Sequence, residues 1–130
     1  MSWFSKAKRK DIWDDPVEEP LGDIEAAQKI RAICRAAADS AEKVGAPDKR
    51  SPNKHPFDRE RYERAAKAAM AIAMKISDEL VRDSAVREIV GLCMKANNIK
   101  TARALFRAIQ AVSIKAELLQ EHPTLEDKPK

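Results

Sequence analysis

The stretch RERYERAAKAAMAIAMKI, residues 59–76, decides the fold class of this chain. Its apolar side chains recur every three or four residues, which is the spacing of one face of an α-helix. They are Tyr62, Ala65, Ala66, Ala69, Ile72, Ala73 and Ile76. Because residues 68–74 contain no charged side chain, we expect this helix to be the most buried of the chain. Asp58 can cap it, and Phe57 with Tyr62 stand where the two residues of a hydrophobic staple pack.

The same periodicity predicts helices on both sides of this stretch, while no segment alternates polar and apolar residues for long enough to indicate a sheet. Asp23 and Asp78 can cap two of these helices, and Asn97-Asn98 can form the turn between two others. Gly91 lies inside a predicted helix at a cost of about 1 kcal/mol relative to alanine, so we expect it to mark a close helix crossing. The predicted helices span residues 24–44, 59–76, 79–96, 99–111 and 113–121.

The chain is therefore predicted to be all-α, either a small helical bundle or two helical hairpins, with about five helices and an extended N-terminal arm. Residues 1–22 have no helical period and contain two prolines, which predicts a flexible arm. Residues 122–130 form a polar tail. The helical domain between them, residues 23–121, divides into the first helix at 24–44, a proline-containing loop at 45–57 and helical hairpins at 58–121.

Charge is distributed unevenly along the 130 residues. Residues 11–25 contain seven acidic side chains and no basic one, whereas residues 26–121 have a net charge of +7. Opposite charges attract over about 10 Å at ordinary ionic strength, and Trp13 with Ile12 can add an apolar anchor. We therefore expect the segment IWDDPVEE to dock on a basic face of the helical body, either its own or that of a second copy in a homodimer.

The arm also holds three of the six aromatic residues of the protein, which is unusual for a mobile tail. Two interpretations remain open: these rings fold back on the surface of the domain, or they form a docking motif for another molecule. The second interpretation makes the arm a partner-binding element. Its candidate contact residues are Trp3, Phe4, Ile12, Trp13, Asp14 and Asp15.

A shift of 33 residues superposes Ala69 on Ala102, Ile72 on Leu105 and Ile76 on Ile109. Together with the fragment Ala102-x3-Phe106, this spacing makes residues 58–121 similar to tetratricopeptide-like helical-hairpin repeats. The Trp, Leu-Gly and Tyr positions of that pattern are absent, and a non-repetitive bundle remains the alternative. The resemblance implies a scaffold that binds partners along a groove, and it carries over no catalytic residue.

Residues typical of catalytic, metal or cofactor sites do not cluster in the sequence. Three glycines provide no phosphate-binding loop, and no Ser or Cys stands in a nucleophile context, so we predict neither an enzyme nor a cofactor. His55 and His122 each precede a proline and have no neighbouring ligands, so no metal site is predicted. Glu79 and Asp83 share a helix face and could act as paired carboxylates. The alternative is structural, with both acids favoured by the helix dipole and Asp83 paired to Arg87.

Two cysteines, Cys34 and Cys93, stand far apart without a CxxC spacing, which predicts buried, reduced thiols. No apolar run is long enough to span a bilayer and the N-terminus lacks the pattern of a signal peptide. We therefore predict a cytoplasmic protein with no integral membrane segment.

Binding is the function class that the sequence favours. The leading hypothesis is a non-enzymatic protein–protein interaction module, an adaptor or regulatory subunit, with the arm as a second contact element. The alternative is a nucleic-acid-associated protein, because Lys100, Arg103 and Arg107 form a basic stripe on the fourth helix that could bind phosphates or another anion.

Overall fold

The computed structural model describes residues 11–14, 21–46 and 55–126. These ranges contain five α-helices and two 3-10 turns, without a β-strand, so the all-α prediction is confirmed. None of the helices in these ranges is both long and apolar enough to cross a membrane. The helices are α1 (Asp23–Gly45), α2 (Pro56–Ala73), α3 (Glu79–Lys95), α4 (Ile99–Ala108) and α5 (Val112–Glu121), with 3-10 turns at Ile12–Asp14 and Pro123–Leu125.

The core lies where α1 packs on both α2 and α3. Ala37 and Ala41 of α1 and Ala65 and Ala69 of α2 are completely buried, as small side chains allow two helices to approach closely. The periodic stripe from Tyr62 to Ile76 is buried as predicted, apart from Ala66, which is half-buried. The helix itself ends at Ala73, three residues before the predicted boundary. The expectation that this helix is the most buried is wrong, however, because seven of the 17 residues of α3 are buried and only five of the 18 of α2. The third helix also packs against all four others.

The close helix approach that was predicted at Gly91 is found at Gly45 instead. A Cβ atom at Gly91 would have no heavy atom within 4 Å, so Gly91 does not mark a helix crossing. At Gly45, the last residue of α1, a Cβ atom would lie 2.2 Å from the carbonyl oxygen of Lys95. The close approach therefore joins the C-terminal ends of α1 and α3, and only a residue without a side chain fits there.

Asp23 and Asp58, which were predicted to be N-caps, instead form hydrogen bonds to distant parts of the chain. Asp23 lies within α1, whose N-cap is Gly22, and its carboxylate accepts hydrogen bonds from the amides of Ser77 (3.0 Å) and Asp78 (2.8 Å). These bonds tie the start of α1 to the start of α3 and hold the pKa of Asp23 below its ordinary value. Asp58 lies inside α2, which begins earlier, at Pro56, and Phe57 is 70% exposed, so the predicted staple does not form.

The predicted start of α3 and the turn after it are correct, and the helix ends at Lys95, one residue before the predicted boundary. Asp78 caps α3 by accepting a hydrogen bond from the amide of Val81. Asn97 has a positive φ of 59°, and Asn98 accepts a hydrogen bond from the amide of Thr101 at the start of α4. Asparagine tolerates this left-handed backbone better than most residues, as the Asn-Asn turn requires.

The fourth helix ends at Ala108, three residues before the predicted boundary. The amides of Gln110 and Ala111 donate instead to one carboxylate oxygen of the buried Asp83, at 3.0 and 2.9 Å. Asp83 therefore compensates for helical hydrogen bonds that this linker lacks. The predicted polar tail also begins inside the fold, since Leu125 is 1% exposed; residues 127–130 lie outside the described ranges.

Candidate functional site

The turn at Ile12–Asp14 lies on the surface of α1 and α2, so this part of the predicted flexible arm is packed on the body. Its local sequence closes it: the amide of Asp14 donates to the carbonyl of Asp11, and the amide of Asp11 donates to the carboxylate of Asp14. This closed turn projects the Trp13 ring onto the body, where 8% of the residue remains exposed. We call the surface of α1 and α2 beneath this turn, with Arg61 and Arg64 at its edge, the Trp13 slot.

Two arginines of α2 bind the turn through charge. Arg61 donates to the carboxylate of Asp11 at 3.0 Å, and Arg64 pairs with Asp14. The guanidinium of Arg61 also lies over the Trp13 ring, 4.9 Å from its centroid, which is within the range of a cation–π contact. The aromatic ring and both flanking carboxylates are therefore all recognised by one turn of α2.

Arg61 is held in place from the body side as well. Ser40 of α1 is 2% exposed; its hydroxyl accepts a hydrogen bond from Arg61 (2.7 Å) and donates one to Asp58 (2.8 Å). The Nδ1 atom of His55 lies 3.6 Å from the second oxygen of Asp58. Because Ser40 and Asp58 belong to the helices, Arg61 is positioned by groups other than the turn that it binds.

The Trp13 ring is bound with one defect. Its indole nitrogen Nε1 is buried and has no hydrogen-bond acceptor among the residues that the structure describes. A buried donor without an acceptor costs about 1–3 kcal/mol. The slot therefore accommodates the ring of Trp13 better than its N–H group.

The predicted arm contacts divide into two groups. Ile12, Trp13 and Asp14 lie together on the body, as part of a segment that docks on its own chain. Trp3, Phe4 and Asp15 lie outside the described residues, as does the rest of IWDDPVEE after Asp14.

Sequence reasoning missed the receptor side of this site. Arg61 and Arg64 are one helical turn apart on the polar face of a helix that follows an acidic arm, and this spacing could have identified them. Ser40 carried no such signal, because a serine amid alanines in a helix is common and its partners are 18 and 21 residues away.

The predicted basic stripe on α4 is not a uniform surface. Arg103 donates from Nε and Nη2 to the carbonyl oxygen of Thr124, at 2.9 and 2.7 Å, and so attaches the C-terminal turn to α4. Lys100 and Arg107 are exposed on the same helix. The side chain at the centre of the stripe therefore has a structural role.

Glu79 and Asp83 do not form a carboxylate pair for catalysis. Asp83 is occupied by two backbone amides, whereas Glu79 is exposed and lies 3.9 Å from Arg82. The predicted pair between Asp83 and Arg87 is wrong, because Arg87 reaches across to α5 and pairs with two acids there, Glu117 and Glu121.

Both cysteines are buried free thiols, 7% and 0% exposed. Burial raises the pKa of Cys34 to about 12 and also raises that of Cys93. Thiolates, not thiols, are nucleophiles and metal ligands, so neither cysteine is activated. Within the described ranges no three His, Cys, Asp or Glu side chains are grouped so that they could hold a metal ion.

A second concave surface lies between α1, α3 and α5. It has a volume of about 220 Å³, and Gly91 contributes to it by leaving space above α3. Cys34, Ala38, Leu92 and Leu118 provide its apolar surface. The volume is below the 300–1,000 Å³ typical of small-molecule sites.

Comparisons with protein-family models, with curated proteins and with solved structures find no match to this chain. The resemblance of residues 58–121 to tetratricopeptide-like repeats therefore stays a prediction.

Proposed function

We propose that this chain is a non-enzymatic helical interaction module, an adaptor or regulatory subunit, which binds a protein partner at the Trp13 slot. The observation that carries the proposal is that a short segment of the chain already occupies this surface. The segment is closed by its own hydrogen bonds, anchored by one aromatic ring and flanked by two ion pairs, as in complexes of proteins with short peptide motifs.

The strength of this contact favours exchange with a partner. Burying a tryptophan removes about 150–250 Å² from water, which is worth about 4–6 kcal/mol at about 25 cal/mol per Å². The cation–π contact adds about 1 kcal/mol, and each partly exposed ion pair about 0–1 kcal/mol.

Ordering four residues costs about 1–2 kcal/mol each, and the unpaired indole N–H costs about 1–3 kcal/mol. Gains of about 5–9 kcal/mol thus oppose costs of about 5–11 kcal/mol. The two sums nearly cancel, so the docked segment is held weakly enough for a partner to displace it.

We assign the slot to protein binding because its chemistry matches the centres of protein interfaces. Such centres are enriched in tryptophan and arginine, and their strongest contacts form where water is excluded. The contact between Trp13 and Arg61 pairs these two residue types, and it is largely shielded from water, since Trp13 is 8% exposed and the side chain of Arg61 is 21% exposed.

The test is affinity capture from cells that express the protein, with full-length variants as baits. Trp13→Ala should vacate the slot and increase recovery of a partner, whereas Trp13→Ala with Arg64→Glu should lose the partner through charge repulsion. Trp13→Ala with Lys100→Glu is the matched control, because it reverses one exposed charge on α4 and should retain the partner. Equal recovery with all variants would contradict the proposal.

A further inference from the structure

The bound segment defines the chemistry of a ligand for the Trp13 slot. Its carboxylates stand two residues before and one residue after the aromatic ring, and they pair with Arg61 and Arg64 respectively. Because α2 presents these two arginines one turn apart, the slot recognises four successive residues of a ligand: an acidic residue, a spacer, an aromatic residue and a second acidic residue.

The segment itself is an imperfect ligand of this kind. The indole N–H of Trp13 is buried without an acceptor among the described residues, so part of the binding free energy is lost on docking. A ligand whose aromatic ring has the same shape but no N–H group would avoid that loss and keep both ion pairs.

We propose that the Trp13 slot binds an acidic peptide of another protein, with an aromatic residue that buries no N–H donor, and that residues 11–14 are its weaker competitor within the chain. This inference rests on the proposed function. A second copy of the chain is a poorer occupant, because its arm has the same unpaired N–H. The chain's own arm competes at the high effective concentration of a tethered ligand.

The experiment titrates labelled synthetic peptides into full-length protein and follows fluorescence anisotropy. One peptide copies residues 10–15, the second replaces its tryptophan with the benzothienyl isostere, which has sulfur in place of N–H, and the third has alanine there. With Trp13→Ala as receptor, the isostere should bind at least about fivefold more tightly than the tryptophan peptide, and the alanine peptide should not bind. Both active peptides should bind more weakly to the wild-type protein, whose slot is occupied.

Two receptor variants test whether the arginines of the slot recognise the acidic residues of the peptide. Arg64→Gln in the Trp13→Ala background should weaken binding by about 1.5- to fivefold, since a partly exposed pair contributes about 0.2–1 kcal/mol. Lys100→Gln in the same background is the matched control and should bind as before. If Arg64→Gln and Lys100→Gln behave alike, the ligand pattern proposed for the slot is wrong.

Three other outcomes would overturn the inference at different points. If the tryptophan peptide binds as tightly as the isostere, the inference fails and the proposed function survives. If neither peptide binds a Trp13→Ala protein that remains helical by circular dichroism, both fail. If wild-type protein sediments as a dimer that Trp13→Ala dissociates, the occupant is a second copy.

A further measurement uses a protein that retains Trp13, so its result does not depend on whether the Trp13→Ala variant folds correctly. In Trp3→Phe protein, Trp13 is the only tryptophan, so the isostere peptide should shift its emission to longer wavelength as it displaces the turn. No shift at saturating peptide would overturn the competition between the two ligands.

Discussion

The two helical glycines allow a sharp test of the fold, because the same substitution should have opposite effects at the two positions. Gly91→Ala adds a methyl group to the interior of α3 where no heavy atom lies within 4 Å. Gly45→Ala adds one at the end of α1, 2.2 Å from the carbonyl oxygen of Lys95 and 3.0 Å from the carbonyl carbon of Ala96. Both neighbours at Gly45 are backbone atoms and cannot rotate away.

The expected magnitudes follow from these surroundings. Alanine in place of glycine inside a helix raises the free energy of unfolding by about 1 kcal/mol, and nothing at Gly91 opposes this gain. At Gly45 the added methyl group must move the end of α1 away from α3, and overpacking of this kind costs about 1–3 kcal/mol. The two variants should therefore differ by about 2–4 kcal/mol in the free energy of unfolding.

Urea denaturation followed by circular dichroism at 222 nm measures this difference. The midpoint should rise for Gly91→Ala and fall for Gly45→Ala with an unchanged slope, since neither methyl group alters the surface exposed on unfolding. Thermal midpoints should separate in the same sense, by about 4 °C for each kcal/mol in a domain of this size. A destabilised Gly91→Ala with a neutral Gly45→Ala would place the close crossing in the middle of α3 and refute the helix packing described above.

Four further outcomes are expected. In Trp3→Phe protein the emission of Trp13 should be blue-shifted and should move toward longer wavelength in high salt; solvent-like emission at low salt would show that the turn is undocked. Asp83→Ala should lower the free energy of unfolding by about 2–5 kcal/mol because two amides lose their acceptor, and Asp83→Asn by less; equal losses in urea denaturation would argue against the acceptor role. The lowered pKa of Asp23 means that its contribution to stability is present at neutral pH and is lost as pH falls below about 4, so Asp23→Asn should flatten the acid limb of an unfolding-versus-pH curve. The thiol of Cys34, with its pKa raised to about 12, should react with a thiol reagent at pH 8 only on unfolding; rapid native-state labelling would contradict its burial.

The sequence by itself was sufficient for the helices, their approximate bounds and their buried faces. Periodicity identified the stripe from Tyr62 to Ile76, and the local chemistry of Asp78 and Asn97-Asn98 identified the ends of α3 and the start of α4. These features depend on residues within a few positions of one another, so the local sequence contains the information needed to predict them. The charge contrast between the arm and the body also indicated that Trp13 would dock, although it did not indicate where.

Only the tertiary structure decided which helix is central and what the polar side chains bind. Asp23, Asp83 and Arg103 each bond to backbone groups at least 20 residues away, so their partners cannot be read from local spacing. The same is true of the Trp13 slot, in which Asp11 meets Arg61 across 50 residues. A glycine is compatible with a close helix approach and with an open surface. The positions of the neighbouring helices alone determine that Gly45 lies at a close approach and Gly91 at an open surface.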